Sequence, residues 1–223
     1  MECIQKNHEL ILSKISDIHK SSFFSKQKPP KLVAVSKKQE DYKIDMALKC
    51  GQKIFGENRV QEAIKRWQKR LDINLDLELR LIGPLQTNKI KQSLNLFDVI
   101  ETIDREKIAI EIAKNFHNKV KTKSFYIQVN TGNEPQKSGI DPLQADEFIN
   151  YCIKELNLPI VGLMCIPPIN DEPSMHFNLL KKIANRNNLP ELSMGMSSDY
   201  EDAIKFGATS VRIGSLLFGH RQF

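Results

Sequence analysis

No stretch of this 223-residue chain is apolar for long enough to cross a bilayer. The longest nearly unbroken run, IVGLMCIPPI at 160–169, falls well short of the roughly 20 residues a spanning helix needs and is broken by Pro167 and Pro168. The amino-terminal MECIQKNHELILSKISDIHK places Glu and Asp among its apolar residues and so lacks the continuous core of a signal peptide. A cytoplasmic protein, without membrane attachment, is expected. Cysteine is scarce as well: Cys3, Cys50, Cys152 and Cys165 are far apart and form no CxxC pair, which argues against a disulfide framework and a zinc site alike. The five histidines are scattered with no HExxH pattern, so no metal centre is expected. Linker-like segments are missing too, and a chain with 40% hydrophobic and 27% charged residues does not read as disordered. The net charge of +6 is spread along the chain. Its one dense basic cluster, KRWQKR at 65–70, lies on a helical pattern and reads as a solvated helix face rather than a nucleic-acid site.

What the chain does have is a period. Short runs rich in β-branched residues recur at 32–37 (LVAVSK), 53–58 (KIFGEN), 78–85 (ELRLIGPL), 99–104 (VIETID), 124–130 (SFYIQVN), 160–167 (IVGLMCIP), 191–197 (ELSMGMS) and 210–215 (SVRIGS). Segments with helical periodicity separate them, among them DYKIDMALKCG, RVQEAIKRWQKRL, REKIAIEIAKNF, LQADEFINYCIKEL, SMHFNLLKKIANR and DYEDAIKFG. The strand starts recur about every 25 residues, the length of one βα unit with short loops. Eight such units predict an α/β fold, a single closed (β/α)8 TIM-type barrel. An open doubly wound sheet usually carries a Gly-rich loop after its first strand, and here that position reads SKKQED. Before the first strand, Ile4, Ile11, Ile15 and Ile18 share one stripe of a helix over 2–20, expected to cover the bottom or flank of the barrel. The whole chain, 1–223, is expected to form one domain, with 1–30 as helix and lead-in and 32–215 as the eight βα units.

In this fold the active site is built at the carboxyl ends of the strands. Lys37, Asn58, Asn130, Ser197 and Ser215 stand at such ends. On the first strand, alternation puts Val33, Val35 and Lys37 on one face and Leu32, Ala34, Ser36 and Lys38 on the other. Bulky branched residues dominate barrel interiors, so Lys37 is expected to reach the mouth and Lys38 to be solvated. The same reasoning turns Arg212 inward, where an unpaired charge is expensive. After the seventh strand, GMSSDYEDAIKFG opens a helix at Ser198 or Asp199, an arrangement that favours phosphate. The eighth strand adds RIGSLLFG, in which Gly214 admits a ligand to the backbone and Ser215 offers an amide and a hydroxyl. An ordinary capped helix and a tight turn account for either motif alone; their pairing on adjacent strands favours the phosphate site. An inward lysine across the mouth from a phosphate cup suggests a phosphorylated aldehyde held as a Schiff base, most commonly pyridoxal 5′-phosphate, with Arg212 as partner of its ring nitrogen.

The motifs AVSK, FGENRVQE, LIGPLQTNK, QVNTGNEPQKSG, GLMCIP, SMGMSSDYEDAI and VRIGSLLFG resemble, in order, those of the pyridoxal phosphate homeostasis protein family, single-domain relatives of the alanine racemase barrel. The resemblance runs from about residue 32 to the carboxyl terminus and implies the alanine racemase type of barrel. It implies pyridoxal 5′-phosphate bound covalently on Lys37, its phosphate held by Ser197, Ser198, Gly214 and Ser215, its ring nitrogen facing Arg212, and its ring lined by Asn58 and Met164. The sequence departs from the family pattern at Arg80, where a histidine commonly stands before the IGPLQ motif. Alternation puts Arg80 and Ile82 on one face, which brings Arg80 near the barrel interior. IGPLQTNK also reads as a rigid loop, with Pro84 fixing the turn and Asn88 and Lys89 solvated.

Two functions share these residues: a monomeric carrier that holds the cofactor without turnover and delivers it to apo-enzymes, and a small amino-acid racemase or lyase. The racemase relatives take a second acid/base tyrosine from an additional β domain. This chain ends eight residues after its eighth strand, and Tyr42, Tyr126, Tyr151 and Tyr200 fit packing or surface patterns. An arginine at the ring nitrogen also weakens the ring as an electron sink, so the carrier, with no catalytic residue, is the expected function. A cofactor-free barrel enzyme for a phosphorylated sugar would need paired carboxylates at the mouth, for which Glu57 and Asp104 are the candidates.

Overall fold

The β-branched runs form eight parallel strands: β1 (Lys31–Val35), β2 (Ile54–Glu57), β3 (Glu78–Leu81), β4 (Val99–Ile103), β5 (Ser124–Gln128), β6 (Ile160–Met164), β7 (Glu191–Ser193) and β8 (Ser210–Ile213). Each pairs with the next and β8 pairs with β1, closing the barrel. The structure is a computed structural model and describes residues 2–219. All eight predicted strands are present, and all eight stop short of their predicted carboxyl ends. Barrel closure explains the difference: apolar residues continue past the last ladder hydrogen bond because the βα loops fold back over the mouth, so composition overruns pairing.

The predicted helices appear as α2 (Asp41–Lys49), α3 (Val60–Ile73), α5 (Glu106–Asn115), α6 (Ala145–Asn150), α7 (Pro173–Arg186) and α8 (Tyr200–Lys205). The chain continues from α6 as a π-helical turn, Tyr151–Glu155. Between β3 and β4 a 3₁₀ turn, Thr87–Lys89, leads into a helix that periodicity missed, α4 (Ile90–Leu96). Two turns are too short for a helical period to register, although Ile90 and Leu94 lie on its buried side four residues apart. A last short helix, α9 (Ser215–Phe218), follows β8.

The amino-terminal helix, α1 (Glu2–Ser21), buries Ile4, Ile11 and Ile15, with Ile18 half-buried. It lies on the flank, against α2, α8 and α9, over the seam where β8 meets β1. Two polar contacts fix its register: Asn7 Nδ2 donates to Leu217 O (3.1 Å), and the His8 ring meets Gln52 Oε1 (3.0 Å). Gln52 in turn donates to Leu32 O and Ile54 O, tying the helix to the first two strands. Among the described residues no helix is long and apolar enough to cross a membrane.

The main core lies outside the sheet. Leu32, Phe55, Leu79, Leu81, Ile100, Phe125, Ile127, Leu163, Val211 and Ile213 form one apolar cluster with the buried faces of the helices. The basic cluster of α3 belongs partly to this packing, which corrects its reading as a solvated face. Trp67 is fully buried beside Phe55 (ring centroids 4.7 Å apart), and Arg66 and Arg70 pair with Asp41 and Asp45 of α2. Lys65 and Lys69 remain exposed. Truncating Phe55 to Ala removes a fully buried ring from the middle of this layer and is expected to cost about 3–5 kcal/mol of unfolding free energy. Urea unfolding monitored by Trp67 fluorescence checks it; a loss below about 1 kcal/mol contradicts the packing described.

Candidate functional site

Alternation along each strand sends every second residue into the barrel. Val33 and Val35 face inward: a Cβ added at Gly56 of β2 meets Val33 Cγ1 at 3.1 Å, and one added at Gly214 meets Val35 Cβ at 3.4 Å. Val99, Tyr126 and Met164 form a second, smaller apolar cluster, separate from the main core. Ile82 also points inward, against Gly56, so the expectation of branched interior residues holds at β1 and the end of β3, whereas a polar column occupies the interior on β4, β7 and β8. Arg212 Nη1 donates to Ser193 Oγ (2.7 Å), and its Nη2 to the Cys165 carbonyl (2.7 Å). Ser193 Oγ donates to Glu101 Oε2 (2.6 Å), and Glu101 Oε1 accepts from Arg80 Nη1 (2.9 Å). Arg80 Nε then donates to Glu78 Oε1 (2.5 Å) near the opposite end of the barrel. Burial disfavours the charge on Arg80, but the carboxylates around it, Glu101 foremost and then Glu78, outweigh that and lift its pKa above the ordinary arginine value. Burial likewise lifts the Tyr126 hydroxyl far above its usual range, so it stays a neutral packing residue.

Above this column lies the mouth. β1 ends at Val35, so alternation does not reach Lys37; a turn places it instead. Gln39 N–H donates to Ser36 O (3.1 Å), and Lys38 takes a left-handed φ of 56° that leaves it exposed and Lys37 half-buried. The remaining described residues with positive φ are glycines and asparagines, for which that conformation is easy, so Lys38 carries local strain. Gly214 and Ser215 follow β8, beside the end of β1. In the neighbouring loop, Asp199 Oδ1 accepts the Met196 N–H (2.6 Å) and Met196 O accepts from Tyr200 N (2.8 Å), which brings Ser197, half-buried, and Ser198, exposed, to the start of α8. Burial pushes the Asp199 carboxyl up from the usual range, opposed by the Met196 N–H and by Arg212.

On the other side of the mouth, the loops after β2, β3, β5 and β6 enclose a cavity of about 220 Å³. Asn58, Ile82, Gln128, Lys137, Ser138 and Ile166 line it. Gly83 is required here because an added Cβ would lie 2.3 Å from Asn58 O. Asn58 Oδ1 is buried and has no hydrogen-bond partner among the described residues. Met164, one level down, is fully buried against Val99 and Tyr126, and Ile166 takes the lining position. The structure thus brings Lys37, Arg212, Gly214 and Ser215 to the β1–β8 side, with Ser197 and Ser198 on the adjoining loop. It sets Asn58 across the mouth and Met164 beneath it.

Sequence reasoning missed Glu101, Ser193 and Lys137. The first two were visible as polar residues at inward positions of β4 and β7. Lys137 lies in the quoted loop motif QVNTGNEPQKSG and donates to Pro167 O (3.1 Å). The two carboxylates considered for sugar-phosphate chemistry do not form a pair. Glu57 turns outward beneath α3, where its Oε1 accepts from Ser36, Arg66 and Trp67. Asp104 is buried beside Arg105; burial raises its pKa, with Arg105 and Ser138 acting against the rise.

The sequence profile described as alanine racemase, N-terminal domain, matches residues 21–222. The pyridoxal phosphate homeostasis protein of Aquifex aeolicus is 40% identical over 86% of this chain and 88% of its own length. That of Vibrio cholerae is 36% identical over 100% and 98%. Among solved structures, PipY of Synechococcus elongatus with PLP bound has a TM-score of 0.76 and 33% identity, covering 92% of this chain and 100% of its own. Alanine racemase of Clostridium difficile has a TM-score of 0.73 at 15% identity, with 58% of its chain covered, and shares the fold.

The left-handed turn that precedes the mouth predicts a stability order at residue 38. Lys38→Gly relieves strain and is expected to leave stability unchanged or raise it by up to about 1 kcal/mol, whereas Lys38→Val is expected to lower it by about 1–3 kcal/mol. Thermal unfolding of the three proteins checks this; a valine variant as stable as the glycine variant contradicts the turn.

Proposed function

The chain belongs to the pyridoxal phosphate homeostasis protein family, and from that premise we propose that it holds pyridoxal 5′-phosphate as a Schiff base on Lys37 and delivers it to other proteins without turning over a substrate. The observation that carries this reading is Arg212, buried at the inner end of the mouth with both Nη atoms bonded and its guanidinium plane thereby fixed. Fit to the cofactor is supported by Asn58, whose buried Oδ1 has no hydrogen-bond partner among the described residues, at a cost of about 1–3 kcal/mol that a hydrogen bond with a ligand offsets.

Bound pyridoxal 5′-phosphate supplies an electrophilic aldehyde and, when its ring nitrogen is protonated, an electron sink. Each protein group then has a separate task. Lys37 provides the attaching amine. Ser197, Ser198, Gly214 and Ser215 offer hydroxyls and backbone amides to the phosphate at the starts of α8 and α9. Arg212 sets a fixed cation toward the ring nitrogen and disfavours a proton there, which suppresses carbanion chemistry. Asn58 and Met164 border the ring. The cysteines Cys3, Cys50, Cys152 and Cys165 are all free, and burial pushes the Cys152 and Cys165 thiols up to about 12, which keeps them protonated and unreactive.

Borohydride treatment of the loaded protein is expected to fix a phosphopyridoxyl group on Lys37, read by peptide mapping; label on Lys38 alone contradicts the assignment. Pyridoxal without its phosphate is expected to bind far more weakly, since several charge-assisted hydrogen bonds of roughly 1.5–3 kcal/mol each are lost. Equal affinity for the two compounds removes the serine and glycine site.

A further inference from the structure

The geometry points to Glu101 as a positioning residue for Arg212, acting through Ser193, with Arg80 as its counter-charge from below; the consequence for the cofactor rests on the reading just proposed. The directions of the hydrogen bonds follow from chemistry alone. Arginine has donors only, so Ser193 Oγ accepts from Arg212 and must send its single proton onward to Glu101 Oε2. Glu101 Oε1 is taken by Arg80, again as acceptor. Both carboxyl oxygens therefore face donors, and Glu101 sets the rotor of Ser193, which in turn presents its lone pair to Arg212.

The column crosses the barrel and joins elements distant in sequence. Arg212 stands on β8, Ser193 on β7, Glu101 on β4 and Arg80 on β3, and Arg80 Nη1 also approaches Ser210 Oγ at 3.4 Å. All of these side chains are buried, so none is screened by solvent. Two cations inside one barrel repel, and the Glu101 carboxyl between them is what lets both remain. Arg212 has its second anchor at Cys165 O. Loss of Ser193 or Glu101 leaves that anchor as one pivot and frees the guanidinium plane to turn.

Glu101→Gln keeps the shape but removes the charge, and it either sets its N–H₂ against Arg80 or makes Ser193 Oγ accept from both sides and leaves the serine proton without its acceptor. Ser193→Ala removes the link and little else. The first readout is the hydrogen exchange and side-chain rotation of the Arg212 Nε–H, followed by nitrogen NMR on the ligand-free protein. Each variant that retains a cooperative melt is expected to speed this exchange about tenfold or more, the equivalent of one charge-assisted hydrogen bond. Unchanged exchange in the folded variants overturns the positioning role and leaves Glu101 as packing only. The second readout is pyridoxal 5′-phosphate affinity together with the nitrogen shift of the labelled cofactor ring. Both are expected to change while borohydride still traps the label on Lys37. A loosened Arg212 with unchanged affinity and ring shift overturns the link to the cofactor. Failure of the wild-type protein to bind pyridoxal 5′-phosphate at all sinks the functional reading, whereas the exchange measurement still decides whether Glu101 positions Arg212.

Discussion

Two arginine side chains lie inside this barrel, and a buried charge without a partner costs several kcal/mol. Arg80 and Arg212 are kept there by a chain of acceptors, Glu78 on β3 itself, Glu101 on β4, Ser193 on β7 and the carbonyl of Cys165 just past β6. That requirement fixes much else. It runs a polar column through the barrel interior beside Val33, Val35, Val99 and Met164, while the main hydrophobic layer lies on the outer face, where Phe55, Trp67 and the helices pack. It also holds both Nη atoms of Arg212 in place.

The mouth depends on where the strands stop. β1 ends two residues before Lys37, and the left-handed residue Lys38 turns the chain so that one lysine is half-buried and its neighbour exposed. β7 is only three residues long, and β7 and β8 are followed by loops that place serines at the starts of short helices. Across from them, the close approach of Gly83 to Asn58 brings the β2 and β3 loops together and buries an acceptor. Rigid strands carry the cation, and loops carry the residues proposed to attach and cradle the cofactor.

The barrel was readable in the sequence because eight β-branched runs at one spacing admit few other closures. The inward side of β8 was readable because alternation is a local property of the backbone, and Arg212 followed from it. The helix Ile90–Leu96 was not readable, being too short to show a period, and the strand ends were overrun because apolar residues continue into loops that pack. The interior column was half visible. Arg80 stood out as a charge at an inward position, but its partner Glu101 lies 21 residues on, and a register shift on β4 falls between Ile100 and Ile103. Pairings of that kind belong to the closed barrel and are not written in any one segment. Lys37 shows the reverse case: alternation separated a half-buried Lys37 from an exposed Lys38, although the strand had already ended.

The carrier function proposed for this barrel requires bound pyridoxal 5′-phosphate to stay chemically quiet, a property that α-proton exchange measures. Deuterium uptake at Cα of alanine, measured with cofactor occupancy checked by absorbance, is expected to stay at the background of free pyridoxal 5′-phosphate in the wild-type protein. Enzymes typically turn over about 1 to 1,000 times per second, so even a weak activity is visible. Exchange at several turnovers per second that disappears in Lys37→Ala contradicts the account and identifies a racemase or lyase.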